Sequence, residues 1–341
     1  MNNEDQHTSS KRKFDHLNLA FASQLGLDCL DQRFNYEPMV SAHPDQNLET
    51  CDFAGKTLLA PIWISSMTGG TQSAGQINRL LAEAANEFGL GMGLGSCRPL
   101  LENPNCLNDF NVRPFLGNER PLLSNLGLAQ VEEILQQKAW DKIEWMQDKL
   151  QADGLVVHVN PIQEWLQPEG DRFKRPPIEI ITQLLETVSI PIVVKEVGQG
   201  MGPESLQALL KLPLLAIELA AFGGTNFGQL ELLRSNNAVK AETLKPLCQV
   251  GHSALNMIAT VNQLMDTLNA QLKCHKIIIS GGINTFLDGH YFMNSLRCWS
   301  IYGQASAFLK YALLGQRELN QFIQAQISGL KMARTFLRIR T

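Results

Sequence analysis

One imidazole, two carboxamides and a carboxylate crowd into seven residues of this chain, as His158, Asn160, Gln163 and Glu164. They follow directly on the apolar run 154–157, and an apolar run that breaks into polar residues reads as a buried strand with a site at its exit. Side chains alternate along a strand, so Val156, His158 and Asn160 share one face. Pro161 has no N–H for a sheet ladder, so the strand should stop there, leaving Gln163 and Glu164 in the loop beyond. A lone histidine, or an Asn before Pro, is ordinary core or turn chemistry. Four such groups in one unit are not, because burying them is costly unless something pairs with them. Glu164 is a single well-placed carboxylate, and magnesium commonly takes one or two of these alongside substrate phosphates.

A scaffold has to present that strand end. Short apolar runs recur at residues 61–67, 90–96, 121–126, 154–160, 191–197, 214–221, 276–280 and 298–304. Stretches with helical spacing, such as 76–88, 178–188, 203–212 and 253–272, lie between most of them. Near-continuous apolar strands alternating with helices predict an α/β fold whose parallel sheet is covered on both faces. Eight units in about 250 residues match a (β/α)8 TIM barrel better than an open doubly wound sheet. The reading places an N-terminal segment packing over the barrel at 1–60, the barrel at 61–315 and a C-terminal helix at 316–341. The long step from Leu214 to Lys276 predicts an insertion after strand 6, at 222–251, of a length that is usually functional or flexible.

In such a barrel the C-terminal strand ends converge on one mouth, where the chemistry sits. Here those ends are polar and rich in glycine: Met67-Thr68-Gly69-Gly70, Gly95-Ser96-Cys97-Arg98, Ser124-Asn125, Lys195-Glu196, Gly223-Gly224-Thr225 and Ser280-Gly281-Gly282. Glycine at a strand exit lets backbone approach a ligand, and successive N–H groups make anion-binding concavities. Lys195 shares a face with Val193 and Val197, so its ammonium should enter the mouth, where a cation suits a developing anion. An ion pair with a neighbouring carboxylate is the plainer alternative. The planar fork of Arg98 suits a phosphate. Cys97 reads as a small buried residue, with a nucleophile as the alternative.

Composition narrows the class. The 341 residues are 44% hydrophobic and 18% charged, enough for a sizeable core. A net charge of −4 argues against a general nucleic-acid binder. Lys331, Arg334, Arg338 and Arg340 are spaced as the solvated face of a last helix. Seven cysteines without a CxxC pair argue against a disulfide framework or a zinc site. Residues 1–13 are polar, unlike a signal peptide, and no apolar run approaches roughly 18 residues, so a cytoplasmic protein with no membrane partner is expected.

Over most of its length the chain resembles the type 2 isopentenyl-diphosphate Δ-isomerases, flavin-dependent barrels. The likeness rests on Arg12-Lys13-Phe14-Asp15-His16-Leu17, on MTGG at 67–70, GSxR at 95–98 and HxNPxQE at 158–164, on KEVG at 195–198 and on GGTNF at 223–227. HxNPxQE followed by Gln167-Pro168-Glu169-Gly170-Asp171 is the most specific of these. The resemblance implies an isomerase of isoprenoid biosynthesis that interconverts isopentenyl and dimethylallyl diphosphate, with FMN, Mg2+ and NAD(P)H as reductant. Reduced flavin is then the acid/base, and a homo-oligomer, tetramer or octamer, is expected. It implies that Met67, Thr68, Gly69, Ser96, Asn125, Lys195 and Thr225 contact the flavin, with its phosphate on Gly282, Ile283, Asn284, Ala305 and Ser306. Arg12, Lys13, His16, Ser96, Arg98, His158 and Asn160 would hold the diphosphate. Gln163 would face the isoprenoid end, Glu164 would bind the metal, and Lys195, His158 and Gln163 would be catalytic.

The last third departs from that family. Asn284 stands where an Arg or Lys is usual, and Leu296-Arg297-Cys298-Trp299 replaces a Leu-Gly-Ala turn before the eighth strand. Backbone N–H groups and a helix N-terminus suffice to hold a phosphate, so the departure leaves flavin in place. An FMN barrel oxidising a hydroxy acid, a flavin-free phosphate-binding barrel and a non-catalytic flavin module are the rival readings.

Overall fold

Alternation within short strands builds the site. The computed structural model describes the backbone of residues 3–66 and 70–340, with side chains from residue 11 onward. It divides into two compact units, Met1–Val40 with Phe336–Thr341, and Ser41–Thr335. In the first, a helix over Asn3–Leu19 precedes a two-stranded antiparallel ladder in which Phe34 pairs with Ile339 and Tyr36 with Leu337.

The second unit is the expected barrel. Its strands are β1 (Ile62–Ile64), β2 (Gly91–Gly93), β3 (Leu122–Gly127), β4 (Gly154–His158), β5 (Ile192–Lys195), β6 (Ala216–Glu218), β7 (Lys276–Ser280) and β8 (Trp299–Gln304). All neighbours pair in parallel, and β8 returns to β1 to close the ring. Helices follow the strands and seal the outer face. Gln72–Phe88 shows how: Thr71 Oγ1 accepts the Ala74 N–H to start it, Gly89 ends it at φ +68°, and Ala74, Asn78, Leu81, Ala82 and Ala85 form its buried stripe.

Inside the ring two layers are stacked. Trp63, Leu123, Val156, Val193, Ala216, Ile278 and Ile301 form an apolar lower layer. Two residues further along the same strands, and so on the same interior face, stand Ser65, Asn125, His158, Lys195, Glu218, Ser280 and Gly303. The barrel is therefore greasy below and polar at its C-terminal mouth. A hairpin of Cys51–Phe53 and Lys56–Leu58 supports the lower layer. Its Phe53 is fully buried, stacked on Trp299 at 5.6 Å and edge-on to Trp63 at 5.3 Å.

Two local readings change. Gln163 and Glu164 do not lie in a loop: Pro161 opens a short helix, Pro161–Leu166, capped by Asn160, whose carbonyl accepts the Glu164 N–H. Proline's missing N–H ends a strand but is harmless at the first position of a helix, and Asn160 consequently lies past the end of β4. The segment 222–251 is also ordered. Helices Phe227–Arg234 and Ala238–Leu244 and a 3-10 turn Lys245–Gln249 fill it, and Leu232 and Cys248 pack on Leu166. No helix among the described residues is long and apolar enough to cross a membrane.

Candidate active site

The mouth holds a row of three ionisable residues. His158, Lys195 and Glu218 are register partners on β4, β5 and β6, so the ring presents them side by side at the top of the apolar layer. His158 Nδ1 is 2.8 Å from Asn125 Oδ1, and Asn125 Nδ2 donates to the Leu94 carbonyl. That second bond orients the amide with its oxygen toward the ring, so Nδ1 carries the proton and Nε2 keeps a lone pair. Burial, reinforced by the Lys195 charge, lowers the His158 pKa to about 3. Lys195 is buried and donates to the Glu196 carbonyl at 2.8 Å.

Two cavities open on either side of Lys195 and share it with Ser66, Val197 and Phe227. The first, about 90 Å3, lies over the ends of β5–β8 and is lined by Ser65, Glu218, Gly224, Thr225, Ser280, Gly281, Gly282, Ile283, Asn284, Gln304, Ala305 and Ser306. Several of its polar atoms are buried without a partner among the described residues: Ser65 Oγ, Ser66 Oγ, both Glu218 oxygens and Gln304 Oε1. Orphaned buried groups are costly, and here they face one space, which marks it as built for a polar ligand. Gly281 holds φ +85° where a Cβ would strike the Ala221 backbone, so only glycine brings this turn so close. Helix Ser306–Leu314 begins at the same cavity with no side chain capping it, as a phosphate-binding terminus would. Asn284, by contrast, gives its backbone N–H to Asp288 Oδ2, which also caps helix Phe286–Ser295 through Thr285. The Asn284 N–H is thus already engaged.

The second cavity, about 260 Å3, is lined by Ser96, Arg98, Asn125, Gln130, His158, Asn160, Gln163 and Glu164. One network ties it together. Asn160 Nδ2 donates to Gln163 Oε1 and Glu164 Oε1, both at 3.0 Å, and Glu164 Oε2 accepts the Asp171 N–H at 2.7 Å. Asn160 Oδ1 is buried without a partner among the described residues. Arg98 is held by Glu102 at 2.7 Å and Asp171 at 3.0 Å, and Gln130 also donates to Asp171. An arriving anion would therefore exchange places with carboxylates on Arg98. Among the described residues no group of three or more His, Cys, Asp or Glu could hold a metal alone. Cys97 is fully buried, and burial pushes its thiol up to about 12, which leaves no nucleophile there.

Most residues expected to form the site thus meet at the mouth. Arg12, Lys13 and His16 belong to the other unit, exposed on helix Asn3–Leu19. Met67, Thr68 and Gly69 lie outside the described residues. Sequence reasoning missed Glu218, Gln304 and Glu231. Glu231 sits in the helix Phe227–Arg234, buried, where Gln163 Nε2 reaches its Oε1 at 3.2 Å and Arg234 pairs with it at 2.7 Å. A charge inside the apolar run 214–221 was a usable signal for Glu218; Glu231 had none.

No family model matches the chain. Among curated proteins it is 32% identical over 333 residues to the isopentenyl-diphosphate delta-isomerase of Rickettsia felis, covering 96% of this chain and 92% of that protein. The enzyme of the same name from Rickettsia typhi is 30% identical over 334 residues, covering 96% and 94%. Among solved structures, a flavocytochrome b2 mutant with pyruvate bound superposes with a TM-score of 0.61 at 12% identity, covering 89% of this chain and 72% of that one. A mandelate oxidase mutant with a monooxide FMN adduct gives 0.51 at 12%, covering 91% and 89%. At such identities these two show the fold alone.

Proposed function

This chain belongs to the isopentenyl-diphosphate delta-isomerase family, and from that premise we propose that it interconverts isopentenyl and dimethylallyl diphosphate with FMN and magnesium. The observation that carries the reading is Lys195 standing on the wall common to two cavities. One is a glycine-lined space with orphaned polar atoms and an uncapped helix N-terminus. The other is an anion-sized space ringed by Arg98, His158, Asn160 and Glu164.

The residues present fit both groups. FMN would be held by Lys195 and Thr225, by Ser96 and Asn125, and at its phosphate by Gly282, Ile283, Ala305 and Ser306. When bound and reduced by a nicotinamide, it supplies the acid/base chemistry that moves a proton between the two ends of the allylic unit. Magnesium would sit on Glu164, completed by diphosphate oxygens and water, since the described residues offer too few ligands by themselves.

The chain's own residues do the rest. Arg98 and Asn160 bind the diphosphate, and His158 joins them by taking a proton on Nε2 as the anion arrives, since a nearby negative charge favours the imidazolium. Gln163, braced between Asn160 and Glu231, flanks the hydrocarbon end. The Lys195 ammonium stabilises negative charge on the cofactor. Hydroxy-acid oxidation would need a histidine base and an Arg pair for a carboxylate, whereas the second cavity offers one Arg among its described residues, with Glu164 beside it. Incubating the protein with isopentenyl diphosphate in D2O and following it by NMR tests the reading. Dimethylallyl diphosphate should form only with the flavin reduced and magnesium present, without net consumption of reductant. Full-rate turnover with oxidised flavin, or none under any condition, overturns it.

A further inference from the structure

Glu218 is 1% exposed, and neither of its carboxylate oxygens meets a hydrogen-bond donor among the described residues. It lines the same cavity as Lys195 and is that lysine's register partner on the adjacent strand. Lys195, itself 7% exposed, spends one N–H on the Glu196 carbonyl, which leaves two donors to point elsewhere. A buried carboxylate with no donor is among the most costly arrangements a fold can hold, so a strand that carries one into the mouth is under a functional demand. Among the described residues lining this cavity, Lys195 and Glu218 are the charged ones, and the other polar groups are hydroxyls and carboxamides.

We propose that Glu218 is the counter-charge to Lys195: a positioning residue that, across the cavity wall the two share, limits how strongly the mouth favours a negatively charged cofactor. Left unopposed, a buried ammonium would hold an anionic ligand very tightly and drive a bound flavin far toward its reduced, anionic form. A carboxylate on the next strand moderates that field and gives Lys195 a place to rest while the cavity changes ligand. Neutralising Glu218 therefore makes the mouth more positive, and neutralising Lys195 makes it more negative. This inference rests on the flavin reading above.

The test is the midpoint potential of the bound flavin, measured by dye-coupled titration of the purified, FMN-loaded protein. Glu218→Gln keeps the shape and removes the charge. It should shift the oxidised–reduced equilibrium at least tenfold toward reduced flavin, about 30 mV upward for a two-electron couple. Lys195→Met should move it the opposite way, and Glu218→Asp, which keeps the charge, should stay within threefold of wild type. Should the Gln variant not fold, Glu218→Ser gives the same reading. An unchanged or lowered potential in the charge-removing variant overturns the counter-charge role while leaving the flavin reading intact. A wild-type protein that binds no added FMN overturns both.

Discussion

His158 donates from Nδ1 to Asn125 Oδ1 across a 2.8 Å bond between β4 and β3, which orients its ring, while burial and the Lys195 charge favour the neutral form. The lowered pKa is a stability statement as well. The unfolded chain binds the proton near the ordinary histidine value of about 6.5, the folded chain only near 3. Between those values the unfolded state holds more protons, so the contribution is complete above the upper one and is lost as pH falls toward the lower. We expect the His158 ring signal to show no protonation from pH 8 to 5 by NMR. His158→Gln should flatten the loss of stability between pH 6.5 and 4 in urea titrations; an unaltered slope would place the depressed pKa in doubt.

Lys195→Ala should damage turnover more than substrate affinity. The diphosphate retains Arg98 and His158, so KM should change little, whereas kcat should fall roughly a hundredfold or more, which corresponds to about 2.7 kcal/mol. Steady-state kinetics decide it: a raised KM at normal kcat would put the ammonium on the substrate instead.

Glu164→Gln should abolish magnesium activation and lower kcat roughly a hundredfold while FMN stays bound. The fold should tolerate it, because the new side chain keeps the shape and its one oxygen can still accept from Asn160 Nδ2. Magnesium titrations of activity, with the thermal midpoint as control, check both halves. Wild-type magnesium dependence in the variant rules out Glu164 as the ligand.

Phe53→Ala should destabilise the protein by about 3–5 kcal/mol, since the ring is fully buried between Trp63 and Trp299 beneath the barrel's lower layer. It lies below the mouth, at the opposite end of the strands, so kcat of the folded fraction should hold. Chemical denaturation and kinetics at low temperature separate the two effects.

The amino-acid sequence by itself determined what depends on spacing along the chain. Eight apolar runs separated by helical stretches are local patterns, and they specified the parallel barrel before any contact was known. The polar unit from His158 to Glu164 was legible for the same reason, as were the glycine turns after β6 and β7. Where two local rules competed, the pattern misled: proline ends strands and also opens helices, and only packing of Leu166 against Leu232 and Cys248 selected the helix Pro161–Leu166. Tertiary structure alone decided who stands beside whom. His158, Lys195 and Glu218 come from strands far apart in sequence and become neighbours through parallel register, while Glu231 reaches Gln163 only because the segment after β6 folds back onto that helix. Register and ring closure are set by the summed packing of the whole barrel, so no short stretch of sequence encodes them.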